Sequence, residues 1–472
     1  MSNNHPLTIV IFGGTGDLAQ NKLIPAFFNL YKNNLLPKEF RIVGFSRKEK
    51  SHEEFRSFMK DSLESHKIVE EPYVTDFISH GYYQRGDINS LDSYKDLSKI
   101  LVDVDEEIKV CSRKMFYLAV PPNLYESVFI NLSESGLTIP CKVHDDDNSW
   151  TRVLVEKPFG EDSDQAEKLD MLLGKLFKED QIFRIDHYLA KEALQNIITF
   201  RFANSVFEPI WNHKEIEQVS IKLYEEFGIR ERGAFYDGIG ALRDVGQNHI
   251  LQMLALIAMD DPKDMSAESI RKSRADILEK TKLANKDFSK CVVRGQYVGY
   301  KDVNGVESDS TTETYFKIHL EIAKDRWNGT PFYLESGKAL DKSGTEIEII
   351  FKEKESCVCP PEGDHKSHKN RIVFSIQPDT GIELHFWSKK PGFKYELEER
   401  TLSFDYDINK DGMLPDAYQR ILNDAIIGDR TLFISTEEVK AEWNVISPII
   451  HSWDEIPLIE YQQGSNPKDI KN

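Results

Sequence analysis

A short apolar strand that runs straight into a glycine-rich turn and then a helix pattern constrains this chain more than any other feature. Leu7 to Phe12 (LTIVIF) is nearly continuously apolar and rich in β-branched residues, the pattern of a strand buried on both faces of a parallel sheet. Gly13-Gly14-Thr15-Gly16-Asp17-Leu18-Ala19 follows at once, with Ala19 where a third glycine often sits. So tight a turn needs residues without a Cβ, and a diphosphate must approach backbone amides at the positive end of a helix. Gly13 and Gly16 therefore have a mechanical reason to be there. Outside a strand-turn-helix setting such glycines mean only a loop, but here the setting is present and dinucleotide binding is expected.

Further apolar runs, Arg41–Phe45, Met115–Val120 and Val153–Val155, alternate with the helical stretches Leu91–Leu101 and Leu124–Ser133. That alternation predicts a doubly wound α/β domain over residues 1–183. From residue 184 to residue 472 the pattern becomes α+β. Two long helices are expected at Tyr188–Phe202 and Gly240–Met259, among strand candidates at Glu217–Tyr224, Lys290–Tyr300, Thr312–Ile322, Glu346–Phe351, Arg371–Gln377 and Ile382–Ser388. These predict one large, mostly antiparallel sheet. The polar tail after Gly464 is expected to fray.

Composition narrows the function. With 60 Lys and Arg against 79 Asp and Glu, the net charge of -19 would repel a nucleic-acid backbone. The most apolar long stretch, Ile250–Met259, is about half of what crosses a bilayer, so no membrane span is expected. The N-terminus lacks a charged region followed by an apolar core, and cytoplasmic residence is the expectation. Five cysteines with no C-x-x-C pair argue against a disulfide framework and a structural zinc site, leaving Cys357 and Cys359 as incidental thiols.

Several residues carry chemistry in one reading and none in another. The second strand ends in Ser46-Arg47-Lys48, a hydroxyl and two cations where an NAD-selective site usually holds an acid, which suits a 2'-phosphate; the alternative is a solvated basic turn. Lys157, in Glu156-Lys157-Pro158-Phe159-Gly160, closes another strand and either faces the ligand crevice or lies on the surface. Arg184-Ile185-Asp186-His187-Tyr188-Leu189-Ala190-Lys191-Glu192 is expected to open a long helix, with His187 and Lys191 on one face of its first turn as an anion site. Plain capping by Asp186 is the alternative. His249 falls on an apolar stripe with Leu242, Val245, Met253 and Leu256, where a core histidine is the default unless a carboxylate partners it.

Taken in order, GGTGDLA, EKPFG, RIDHYLAKE, RFAN with FEPIWN, RDVGQNH and GKAL resemble the glucose-6-phosphate dehydrogenase family from about Leu7 to Trp453. The resemblance implies oxidation of the C1 hydroxyl of β-D-glucose 6-phosphate to the 6-phosphoglucono-lactone with hydride passing to NADP, the first step of the oxidative pentose phosphate pathway. It implies no metal. It makes His249 the base and Asp186 the carboxylate that orients it. His187, Tyr188 and Lys191 match the family's grip on the sugar phosphate, and Lys157 lies between sugar and nicotinamide. Glu225, Asp244 and Lys338 are further substrate contacts, while Gly13, Thr15, Gly16, Asp17, Leu18, Arg47 and Tyr125 match cofactor positions.

This sequence departs from the family at Ala190, usually glycine, and at Lys342, only an approximate match to a second cation after GKAL. Glu335 and Ser375 stand where the animal branch has arginines of a second, structural NADP site, so that site is not expected. By resemblance the chain pairs with itself as a homodimer or homotetramer, with Tyr315–Leu320 and Ile382–Trp387 as the candidate contacts. Two other readings stay open. One is a Rossmann sugar oxidoreductase related to glucose-fructose oxidoreductase, which would explain EKPFG alone. The other is a non-catalytic regulatory paralogue, for which the pair Asp186 and His249 would be unnecessary.

Overall fold

In a computed structural model, residues 5–140, 149–160, 162–353, 368–406 and 414–471 are described. Cys357 and Cys359 lie outside them. The chain forms two compact units, Met1–Ala190 with Pro415–Thr436, and Lys191–Leu414 with Glu437–Asn472.

The first unit is built on a seven-stranded sheet. Its strands, numbered along the chain, are β1 (Leu7–Phe12), β2 (Phe40–Ser46), β3 (Gly81–Arg85), β4 (Arg113–Leu118), β5 (Thr151–Glu156), β6 (Ile182–Ile185) and, returning late, β16 (Phe433–Ile434). The order is β16-β6-β5-β4-β1-β2-β3, parallel except that β16 runs antiparallel to β6. This is the doubly wound order in which the direction of strand addition reverses beside β1, so the carboxyl ends of β1 and β4 open a crevice. β1 is buried throughout, and Phe12 meets Phe45 and Tyr94 at 5.1 and 5.5 Å between ring centroids. The late excursion also contributes the helix Ala417–Ile427, which packs on the helix Ile24–Lys32. It is capped by the Asp416 carboxylate, and Arg152 donates to its last carbonyls, those of Ala425 and Ile426.

The second unit carries a ten-stranded sheet of β7 (Ile216–Tyr224), β8 (Thr281–Leu283), β9 (Val292–Tyr297), β10 (Tyr315–Ile322), β11 (Phe332–Gly337), β12 (Gly344–Phe351), β13 (Arg371–Gln377), β14 (Gly381–Lys389), β15 (Leu397–Asp405) and β17 (Leu458–Tyr461). The path is β15-β14-β13-β12-β7-β11-β10-β9-β17, with β8 beside β10. Pairings are antiparallel except β7 with β11 and β17 with β9. One face is apolar, and over β13 it is covered by the helix Glu192–Phe202, where Phe374 meets Phe200 edge-on at 5.2 Å.

Four expectations are corrected. Residues 187–190 form a turn, and the helix begins only at Glu192. The Asp186 carboxylate accepts the Tyr188 amide at 2.9 Å and its carbonyl the Leu189 amide, a local alternative that outcompetes a helical start. His187 and Lys191 thus do not share a helix face. Within the expected Gly240–Met259 helix, Leu242–Ile250 is a π-helix, so the stripe drawn at ordinary helical spacing does not hold across it. The tail after Gly464 does not fray: Ser465 bridges Leu340, Asn466 bonds Asp341 at 2.7 Å, and Ile470 is buried. Finally, Cys111 is disulfide-bonded, a pairing that an odd cysteine count does not forbid.

Candidate active site

In the first unit the glycine turn closes on itself. Gly13 and Gly14 both donate to the Phe45 carbonyl, at 2.9 and 3.2 Å, and Gly16 donates to the Gly13 carbonyl. Their amides are used by the turn, which leaves the first-turn amides of the following helix to face an anion. Gly13 has φ +80°, and a Cβ there would lie 2.2 Å from the Ala119 carbonyl oxygen; one on Gly14 would lie 2.6 Å from the Gly44 Cα. Such a cradle, which a side chain would fill, fits a dinucleotide. Thr15 bonds Ser46 at 2.9 Å and Ser46 bonds Tyr83 at 2.8 Å, a hydroxyl chain that ties the turn to the end of β2. Arg47 follows, exposed, while the nearby acid Glu49 pairs with Arg85 at 3.4 Å. Asp17, also exposed, accepts from Asn21, and Leu18 is half-buried beside it.

The ends of β5 and β6 bring a second group together. Tyr125 is buried and its hydroxyl donates to the Glu156 carbonyl at 2.9 Å; burial raises its phenol above the ordinary range. Tyr117 donates to the Glu156 carboxylate at 2.5 Å. Burial of that carboxylate pushes it up to about 7, against the opposing influence of Tyr117, Lys157 and Tyr418. Lys157 comes next in the chain, half-buried. Asp186, buried, sits just past β6, followed by His187 and Tyr188 in the turn.

In the second unit, strand register sets the geometry. β7 and β11 are parallel with Tyr224 opposite Gly337, so Glu225 and Lys338 emerge side by side at their carboxyl ends. The Lys338 ammonium pairs with the Glu225 carboxylate and lies 3.6 Å from that of Asp244. Three residues expected from the sequence are thereby assembled: an anion, a cation and a second anion suited to hydroxyl groups.

Asp244 and His249 both ride on the π-helix. Asn248 explains how that rare geometry is held: its amide nitrogen donates to the Arg243 and Asp244 carbonyls at 3.2 and 3.1 Å, and its oxygen accepts the His249 backbone N–H at 2.7 Å. The segment starts where the buried Glu313 carboxylate accepts the Leu242 amide and the Trp453 indole, both at 2.9 Å. Gly246 lets it approach the sheet, since a Cβ there would lie 2.8 Å from the Phe316 ring. His249 is buried.

Lys191 donates to the Gln377 side chain, a partner that sequence spacing could not reveal. Gln377 also lines a cavity of about 170 Å³ together with Tyr224 and Lys342. Lys342 lies 5.6 Å from the centre of the Tyr224 ring. Asp186 and His249 belong to different units, and each is placed here within its own.

Comparison with known proteins matches two family profiles in sequence order. "Glucose-6-phosphate dehydrogenase, NAD binding domain" covers residues 10–196, and "Glucose-6-phosphate dehydrogenase, C-terminal domain" covers residues 198–472. A glucose-6-phosphate 1-dehydrogenase of Borreliella burgdorferi is 39% identical over 98% of this chain and 95% of its own length. One of Chlamydia muridarum is 38% identical over 98% and 93%. A solved structure described as glucose-6-phosphate dehydrogenase in complex with its substrate glucose-6-phosphate superposes with a TM-score of 0.88 at 32% identity, covering 99% of this chain and 96% of that one.

Proposed function

The chain belongs to the glucose-6-phosphate dehydrogenase family, and from that premise we propose how its residues divide the work. It oxidises glucose 6-phosphate with NADP as acceptor. The alternative of a different Rossmann sugar oxidoreductase, or of a non-catalytic paralogue, is not favoured.

Oxidation takes a hydride from C1 and a proton from its hydroxyl. We assign the proton to His249, with Asp186 fixing the imidazole's orientation and stabilising its charged form. When bound, NADP supplies the hydride acceptor. Thr15, Asp17 and Leu18 would hold its diphosphate at the helix start behind Gly13 and Gly16, with Tyr125 packed beneath and Arg47 on the 2'-phosphate. Glu225 and Asp244, paired with Lys338, would accept from sugar hydroxyls, and Lys157 would lie between sugar and nicotinamide. His187, Tyr188 and Lys191 would grip the phosphate. The observation that carries this reading is the Glu225–Lys338–Asp244 group, whose Asp244 shares its π-helix with His249, an arrangement that a nucleotide-binding role alone does not need.

The phosphate grip is tested separately. Lys191→Ala is expected to raise KM for glucose 6-phosphate by about 10-fold or more, the loss of one charged hydrogen bond, while the slow oxidation of unphosphorylated glucose barely changes. Equal losses for both sugars, measured by steady-state kinetics, would assign Lys191 to the chemistry or the fold instead.

We also propose self-association and place the chemistry in the cytoplasm. Among the described residues no helix is long and apolar enough to cross a membrane. Recovery of the activity in a membrane or secreted fraction would contradict that placement. Of the two segments expected to meet a second copy, the apolar side chains of Tyr315–Leu320 are buried within the chain itself, while Lys317 and His319 between them are half-exposed. Ile382, Leu384 and Phe386 on β14 remain half-exposed, and Leu402 and Phe404, which pair with Leu384 and Ile382, are 61% and 49% exposed. That edge is the contact we propose for a homodimer or the pairs within a tetramer. Light scattering at micromolar concentration is expected to give at least twice the chain mass, and a monomer would refute it.

A further inference from the structure

We propose that Tyr418 is a positioning residue for substrate: its ring, carried on a helix fixed at both ends, holds the His187 imidazole in the orientation that grips the sugar phosphate. The inference rests on the reading of His187 as a phosphate ligand. It concerns a residue far from every motif that the sequence singles out.

The geometry lies wholly within the first unit. The Tyr418 ring is almost parallel to the His187 imidazole, at 12° and 6.1 Å between centroids, while Tyr188 lies on that imidazole at 5.0 Å and a steep angle of 56°. His187 is thus bounded by two tyrosines, and its ring plane is set by the parallel one. An offset parallel ring limits rotation of an imidazole and so fixes the directions in which its nitrogens can meet an anion.

Tyr418 is itself held. It is the second residue of the helix Ala417–Ile427, its backbone amide is taken by the Asp416 carboxylate at 2.8 Å, and burial beside the Glu156 carboxylate raises its phenol above the ordinary range. Tyr117, from β4, donates to the same carboxylate at 2.5 Å. Lys157 and Asp186 are the other charged groups that act on it. Arg152 clamps the far end of the helix through the Ala425 and Ile426 carbonyls, so the helix is fixed at both ends. Gly428, at φ +85°, ends it against that arginine, where a Cβ would meet Arg152 Nη2 at 2.6 Å. The return of residues 415–436 to the first unit therefore delivers one aromatic ring to the turn that follows β6.

The experiment is a double-mutant cycle read by steady-state kinetics. Tyr418→Leu is expected to raise KM for glucose 6-phosphate about 3- to 10-fold, the worth of an aromatic pair, with KM for NADP within about 2-fold of the wild type. Tyr418→Phe, which keeps the ring, is expected to restore most of the affinity. In a His187→Asn background, which itself raises KM by about 10-fold or more, Tyr418→Leu is expected to add no more than about 2-fold. An unchanged KM in Tyr418→Leu overturns the inference, as does an equal rise in both backgrounds or an equal loss of NADP affinity. If Tyr418→Leu alone is silent while His187→Asn weakens binding, the positioning role falls and the phosphate reading stands. If His187→Asn is also silent, both fall.

Discussion

Replacing His249 by asparagine is expected to lower kcat by about 10²- to 10⁴-fold while KM for glucose 6-phosphate stays near the wild-type value. Asparagine fills similar space and can still hydrogen-bond, but it cannot take a proton from the C1 hydroxyl. The fold around the site should survive the change, because Asn248 and Glu313 hold the π-helix through its backbone groups. The loss should therefore fall on the chemical step. A variant that binds substrate tenfold more weakly but turns over normally would make His249 a binding residue, and another base would have to be found.

The second large effect concerns cofactor choice. Arg47→Ala is expected to weaken NADP by about 1.5 to 3 kcal/mol, one lost charged hydrogen bond, and to leave NAD nearly as before. The structure gives this prediction its footing. The backbone that presents Arg47 is fixed independently by the Thr15–Ser46–Tyr83 hydroxyl chain and by the Tyr83 hydroxyl, which donates to the Lys48 carbonyl at 2.5 Å. Removing the exposed guanidinium should not disturb the turn. Comparable losses for both cofactors, in KM ratios measured side by side, would mean that Arg47 supports the loop rather than reads the phosphate.

What the sequence discloses follows the range of the interactions involved. The glycine turn, the strand runs and the parallel order are local patterns, and they match the sheet as it stands. Glu225, Asp244 and Lys338 come from separate stretches, and family resemblance alone put them together; the structure supplies the reason, a register that places two parallel strand ends side by side. The start of the helix after β6 was misread because Asp186 offers the chain a local turn that competes with helix, a choice no apolar period records. The π-helix was hidden for a related reason: its wider turn is set by where the Asn248 side chain finds carbonyl partners, and hydrophobic spacing is indifferent to that. Gln377 and Tyr418 lie out of reach of any local pattern, since each meets its partner only after the chain has folded back across 186 residues or more. The buried tail shows the converse, a polar segment ordered by Pro467 and Ile470, both buried, and a few bonds.

The most direct test follows reduced nicotinamide by its absorbance with the purified full chain, NADP and either glucose 6-phosphate or glucose. The account predicts rapid reduction with glucose 6-phosphate, very slow reduction with glucose at the same concentration, and near-complete loss of the first rate in His249→Asn. No reduction with glucose 6-phosphate, equal rates with the two sugars, or a His249→Asn variant as fast as the wild type would contradict it.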